Sequence, residues 1–130
     1  MNKLTGFIKE IKTCDEIIQL FIDVNDEIFS SLILSSNEVY KIDEKINILF
    51  KETEVMVGTI TSEVSARNTF ISPILSIKVG EILAQIEFDF DGIRIFSVIT
   101  KGALYDLKCK VGDKFKWFVK SNEVSIQRIV

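Results

Sequence analysis

Histidine is absent from this 130-residue chain and cysteine occurs only twice, as Cys14 and Cys109. Without histidine, the commonest general base and the commonest transition-metal ligand are both missing. The two cysteines stand far apart, with no neighbouring cysteine to make a ligand spacing, so they read as ordinary semi-buried thiols. Long uncharged apolar runs are missing too, and strand-sized stretches do not make a membrane-spanning helix. The opening residues, Met1-Asn2-Lys3-Leu4-Thr5-Gly6, lack the apolar block and small-residue cleavage site of a secretory signal, and a cytoplasmic location is expected. An excess of positive charge is lacking as well: the net charge of −3 argues against coating nucleic acid by bulk electrostatics. An anion, if bound, needs locally placed donors. No nucleophile stands with a base, no glycine loop cradles a phosphate and no carboxylate pair has a persuasive context, so an enzyme is not expected.

What is present is a repeat. Ser31-Leu32-Ile33 and Ser97-Val98-Ile99 lie 66 positions apart, and the same offset carries Asn2 onto Asn68, Leu4 onto Phe70, Ile8 onto Ile74, Ile11 onto Ile77 and Gln19 onto Gln85. Lys45-Ile46 then matches Lys114-Phe115, and Lys51, Glu54 and Val55 match Lys120, Glu123 and Val124, now 69 apart. A three-residue difference in one loop accounts for the change of offset. Agreement of order and spacing over both halves is the signature of a tandem duplication.

Within each half the pattern is β. Phe7–Ile11, Glu16–Val24 and Ile28–Leu34 are rich in Ile, Phe, Leu and Val, with alternation through Ile18, Leu20, Ile22 and Val24. Ile74–Lys78, Ile82–Phe90 and Ile93–Thr100 repeat them, with Asp91-Gly92 as a hairpin signal. A short helix is expected after the third strand of each copy, capped by Ser35 with Glu38 in the first, and running over Gly102–Leu107 behind Thr100 in the second. Ile46–Phe50 or Phe115–Val119, then Val55–Val57 or Val124–Ile126, complete the set. The fold class is therefore all-β: two tandem OB-like five-stranded barrels, each with one short helix after strand three. The first domain is expected over 1–57 and the second over 65–130, joined by Gly58–Glu63. A barrel of roughly 60 residues buries only about 60% of its chain surface, so the copies should touch and the chain should oligomerise.

Ser65-Ala66-Arg67-Asn68 leads the second copy, and Lys120-Ser121 follows its fourth strand. This start, the strand-three to helix junction and the lysine-serine pair in register downstream resemble the molbindins, or molybdenum-pterin-binding (Mop, TOBE-like) domains, in a tandem di-Mop arrangement covering essentially the whole chain. The resemblance implies molybdate or tungstate as ligand, held at subunit interfaces of a closed homo-oligomer, a trimer of tandem-domain chains being favoured. Carried over residue by residue, it implies oxyanion contacts from Ser65, Ala66, Arg67, Lys120, Ser121 and Thr100. Asn68 completes the motif, serving the turn or the anion. The chemistry fits: a tetrahedral dianion only accepts hydrogen bonds, so it needs N–H groups, hydroxyls, an ammonium and a guanidinium around it. A site without a carboxylate acceptor is expected to favour a fully deprotonated anion over hydrogen phosphate. The first copy departs from the pattern, with Met1-Asn2-Lys3 for the start and Lys51-Glu52 for the lysine-serine. It is expected to complete interfaces, with any weaker site at Lys3 or Asn37.

The function this implies is a cytoplasmic molybdate or tungstate buffer, with no nucleic-acid or membrane partner. Two alternatives stand beside it: an oxyanion-sensing module acting on a transporter or transcription regulator, and an OB-type barrel for single-stranded nucleic acid. In the last, Trp117 and the phenylalanines at 88, 90, 96, 115 and 118 would stack bases, whereas their strand periodicity points to core packing. Taken alone, Arg67 beside Asn68 reads as a solvated turn, and the run Lys108, Lys110, Lys114, Lys116 and Lys120 as a solvated strand face. Asp89 and Asp91 flank a hairpin, where aspartate serves the turn.

Overall fold

A computed structural model describes residues 1–34 and 37–129. The first half runs β1 (Asn2–Cys14), β2 (Ile17–Val24), β3 (Glu27–Leu34), β4 (Lys45–Phe50), a 3-10 turn at Glu52–Glu54 and β5 (Met56–Gly58). The second runs β6 (Asn68–Val79), β7 (Leu83–Phe90), β8 (Ile93–Thr100), α1 (Lys101–Leu107), β9 (Lys114–Val119), a 3-10 turn at Ser121–Glu123 and β10 (Ser125–Arg128). β1 begins earlier than the apolar run at Phe7 because alternation starts at its first residue: Asn2, Leu4, Gly6 and Ile8 face inward, Lys3, Thr5 and Phe7 outward. Two of those inward positions lack an apolar side chain, which hides the strand from a count of hydrophobic residues. Gly6 is there because a Cβ would stand 2.4 Å from the carbonyl oxygen of Asp23 on the neighbouring strand.

Both halves carry the same ladders. β1 pairs with β2 and β4 as β6 pairs with β7 and β9, all antiparallel. The bulge between Ile8 and Glu10 recurs between Ile74 and Ser76, and such a bulge adds the local twist that curls a sheet toward a barrel. These are two OB-like five-stranded units in tandem. Their fifth strands, however, are exchanged. The sheet orders are β10-β4-β1-β2-β3 and β5-β9-β6-β7-β8, so Met56–Gly58 lies on Phe118, Trp117 and Lys116 of the second half, and Ser125–Arg128 lies on Leu49 to Ile46 of the first.

The core crosses between the halves as well. Phe29 and Phe50 from the first half meet Phe70, Phe90 and Trp117 from the second, with ring centroids 4.6 Å apart for Phe29 and Phe70 and 6.1 Å for Phe50 and Trp117. Trp117 is fully buried and donates its indole N–H to Ser72 Oγ at 3.0 Å, which satisfies the one polar atom the ring carries. Phe88, Phe90, Phe115 and Phe118 are buried too, and Phe96 is half-buried. Trp117, Phe88, Phe90 and Phe115 belong to the core rather than to a stacking platform.

The helix expected in each copy is found in the second alone among the described residues. Thr100 caps α1 by accepting from the Ala103 amide at 3.1 Å, Lys108 ends it in the left-handed region, and Leu104 anchors it to the core. At the same offset the first half has Glu38, which offers no apolar anchor. Its stretch 37–41 is irregular, and Ser35, the expected cap, lies outside the described residues. Arg128 of the exchanged β10 holds this stretch instead: its guanidinium pairs with Glu38 at 2.8 Å and Glu44 at 3.2 Å, stacks 4.7 Å from the Tyr40 ring centroid, and bonds the Val39 carbonyl.

The β2–β3 and β7–β8 turns are matched two-residue hairpins. Asn25 and Asp26 take φ of 50° and 70°, and Asp91 and Gly92 take 50° and 89°, while Asp23 and Asp89 accept from the Asp26 and Gly92 amides at 2.9 and 2.8 Å. Asp26 thus holds a left-handed conformation that its counterpart fills with glycine. Asp26→Gly is expected to raise the unfolding free energy by about 0.5 to 1 kcal/mol. Urea denaturation of the variant beside the parent chain checks this, and an unchanged or lower midpoint contradicts it.

Candidate oxyanion site

The loop between β5 and β6 is pinned where it enters β6. Asn68 is fully buried, and its amide grips the opposite half: Oδ1 accepts from the Ser30 backbone N–H at 2.6 Å and Nδ2 donates to the Ser30 carbonyl at 2.9 Å. Its counterpart Asn2 does the same to Phe96, at 2.8 Å for both bonds. Two serines complete the reciprocity, Ser31 donating to the Val124 carbonyl and Ser97 to the Val55 carbonyl, each at 2.6 Å. Thr69 Oγ1 donates to the Ala66 carbonyl at 2.8 Å, which fixes the loop just ahead of the strand. The side chain of Asn68 is therefore committed to holding β3.

With that loop fixed, Ser65, Ala66 and Lys120 come together on one crevice of about 500 Å³, beside Val64, Phe118, Val119 and, from the exchanged segment, Thr53, Glu54 and Met56. Glu123 completes its rim. Arg67 turns to the other side of the loop, into a shallower depression of about 340 Å³ that it shares with Lys116 and Glu63. Val64 and Ala66 line both spaces, so Ala66 stands between the Lys120 side and the Arg67 side. Arg67 is exposed and donates to the nearby Ser65 carbonyl at 3.3 Å. Ser121 and Thr100 line neither space. Ser121 donates to Ser30 Oγ at 2.9 Å, and Thr100 is engaged as the helix cap.

One expectation is overturned here. The crevice was expected to hold no carboxylate, yet Glu54 and Glu123 line it, with Lys120 as the only cation among the described residues, a net lining charge of −1. Strand exchange is the reason: β5 enters the second sheet opposite Phe118 and carries Glu54 in with it. A dianion on this crevice needs further positive charge, from Arg67 or from a second chain.

A smaller crevice of about 230 Å³ occupies the matching place in the first half, lined by Lys51, Leu49 and Phe50 where the other has Lys120, Phe118 and Val119. Glu54 and Glu123 belong to both, so the two crevices meet across them. Glu52, at the position of Ser121, pairs with the amino group of Met1, and that hydrogen bond holds its carboxyl below the usual range. Lys3 is exposed on β1, and Asn37 lies on a separate surface depression with Tyr40 and Arg128.

A solved structure shares this architecture. The cytoplasmic molybdate-binding protein ModG, in a crystal form with molybdate bound, matches with a TM-score of 0.92 over 98% of this chain and 96% of that chain, at 18% identity. No family model and no curated protein matches the sequence. At this identity the likeness establishes the fold, with both halves and the exchanged strands inside the matched length.

Sequence reasoning missed Glu54 and Ser30. The repeat register carried a signal for Glu54, since it pairs with Glu123 in the alignment of the halves, but nothing in strand periodicity announces that a segment crosses over. Because Asn68 satisfies two buried backbone groups, Asn68→Ala leaves both without partners and is expected to cost about 2 to 4 kcal/mol of stability. Thermal or urea unfolding measures it. A loss below about 0.5 kcal/mol, no more than an ordinary surface substitution costs, contradicts this role.

Proposed function

We propose that this chain is a reversible binder of molybdate-type oxyanions, with molybdate or tungstate as its ligand and no catalytic step. The observation that carries this reading is the convergence of Ser65, Ala66 and Lys120 on one crevice, with Arg67 on the adjoining face of the same loop. The fold it shares with a molybdate-binding protein along nearly its whole length supports it. So does the donor chemistry: hydroxyls and backbone N–H groups give direction around a tetrahedral acceptor, and an ammonium and a guanidinium supply charge-assisted bonds.

A lining charge of −1 bears on assembly. Glu54 and Glu123 work against a dianion in the isolated chain, so the reading places the working site at a contact between chains, where cations from a second copy offset them. A trimer of tandem-domain chains is the assembly proposed, with Thr100 and Arg67 meeting the Lys120 crevice of a neighbour. In a cytoplasmic setting such an assembly takes up oxyanion when it is plentiful and releases it when it is scarce. The second half supplies the donors Ser65, Arg67, Lys120 and Ser121, and the first half, with Lys51-Glu52 in place of lysine-serine, supplies shape and support.

Calorimetric titration with molybdate, tungstate, sulfate and phosphate tests the proposal. Molybdate and tungstate are expected to bind, and Lys120→Ala or Arg67→Ala to weaken them at least tenfold, as loss of one charge-assisted bond of about 1.5 to 3 kcal/mol requires. Absence of binding by all four anions, or unchanged affinity in both variants, contradicts it.

A further inference from the structure

The crevice that gathers Ser65, Ala66 and Lys120 also holds acceptors. Glu54 and Glu123 both line it, and they are matched positions of the two halves, each following a crevice lysine: Lys51 before Glu54, Lys120 before Glu123. They close the 3-10 turns Glu52–Glu54 and Ser121–Glu123, and both are exposed. Among the described residues neither carboxylate is engaged in an ion pair or a hydrogen bond. Glu52, in contrast, is paired with the amino group of Met1. The lone pairs of Glu54 and Glu123 are therefore open to whatever occupies the crevice.

An anion in this crevice meets two kinds of group. The Lys120 ammonium, the Ser65 hydroxyl and backbone N–H groups give protons, whereas an ionised carboxylate only accepts them. A bare tetrahedral dianion such as molybdate also only accepts, so its oxygens have nothing to offer Glu54 and Glu123, and the like charges repel. The other charged groups along this crevice and its first-half counterpart are Lys120, Lys51 and the Met1 amino group, which Glu52 holds. A single proton between an anion oxygen and a carboxylate resolves both conflicts: it makes one oxygen a donor to the other and removes one negative charge. Hydrogen phosphate carries such a proton; molybdate, tungstate and sulfate in neutral solution take it from solvent.

Resting on the oxyanion-binding reading above, we propose that Glu54 and Glu123 are specificity-determining residues of the Lys120 crevice, which takes its anion with one proton shared between an anion oxygen and a carboxylate. Molybdate enters as the dianion, a proton is taken up from solvent, and the bound pair carries one negative charge fewer. Hydrogen phosphate satisfies the carboxylate with its own proton and competes, the reverse of the selectivity expected of a crevice free of carboxylates. Because the molybdate complex holds more protons than the free chain, its affinity rises as pH falls. Strand exchange makes this a property of both halves, since Glu54 comes from the first and Glu123 from the second.

Calorimetry in buffers of different ionisation enthalpy counts the protons. The parent chain is expected to take up protons with molybdate, with affinity increasing from about pH 8 to about pH 6, and to bind hydrogen phosphate in competition with molybdate and without that uptake. Glu54→Gln and Glu123→Gln each remove one charge from the crevice, and each is expected to tighten molybdate about three- to tenfold, to diminish the uptake and to raise the preference for molybdate over phosphate. Thermal unfolding of each variant confirms the fold, which exposed, nearly isosteric substitutions leave in place. Molybdate binding by the parent without proton uptake, exclusion of hydrogen phosphate, or unchanged or weaker molybdate affinity in both variants overturns the proposal. Failure of the oxyanion reading itself looks different: the parent chain then gives no heat with molybdate, tungstate, sulfate or phosphate.

Discussion

Asn2 and Asn68 each place a side-chain amide against the third strand of the opposite half, donating to one backbone carbonyl and accepting from one backbone N–H. The remaining architecture depends on this reciprocity. Those four bonds fix how the halves face one another, and that facing lets β5 and β10 cross into each other's sheets. The serines at 31 and 97 then receive the crossing segments at Val124 and Val55. Each half alone would lack its edge strand and expose Phe29 or Trp117. Together they enclose one aromatic core. Among the described residues, no buried side-chain polar atom is left without a partner, as a core containing Asn2, Asn68, Ser31 and Ser97 requires.

Much of this was legible in the sequence, for identifiable reasons. Alternation at Ile18 to Val24 and the Asp91-Gly92 turn are local signals with local causes, and the structure has the strands and the hairpin where those signals put them. The duplication was legible because matched positions kept matched burial: Asn2 with Asn68, Ser31 with Ser97. What could not be read is which copy a strand joins, because Met56–Gly58 would satisfy its ladder equally on β4 or on β9. The first-half helix, not found among the described residues, is a similar case: Arg128, which pairs with Glu38, lies ninety residues away from it in sequence. Of the motif, the structure brings Ser65, Ala66 and Lys120 to one crevice, while Ser121 and Asn68 meet at Ser30, a residue with no mark of its own in the sequence.

The halves have diverged in chemistry and kept their geometry. At the Lys120 crevice the loop supplies Ser65 and the neighbouring Arg67; at the Lys51 crevice the same place is taken by the chain start, and Glu52 is neutralised by the amino group of Met1. Glu54 and Glu123, both exposed, line both crevices, so the two share their carboxylates. Shape was retained in the first half because the second needs it. Without Ser30 and β3, neither Asn68 nor Ser121 has anything to hold.

Exchanged strands and a shared core make the two halves one cooperative unit, and native-state hydrogen exchange tests this most directly. The amides of Leu20 and Ile22 in the first half and of Ile86 and Phe88 in the second, all fully buried residues of central strands, are predicted to exchange with the same opening free energy, equal to that of global unfolding. Exchange of either set through a separate opening of distinctly lower free energy, with the other half still protected, would contradict the account.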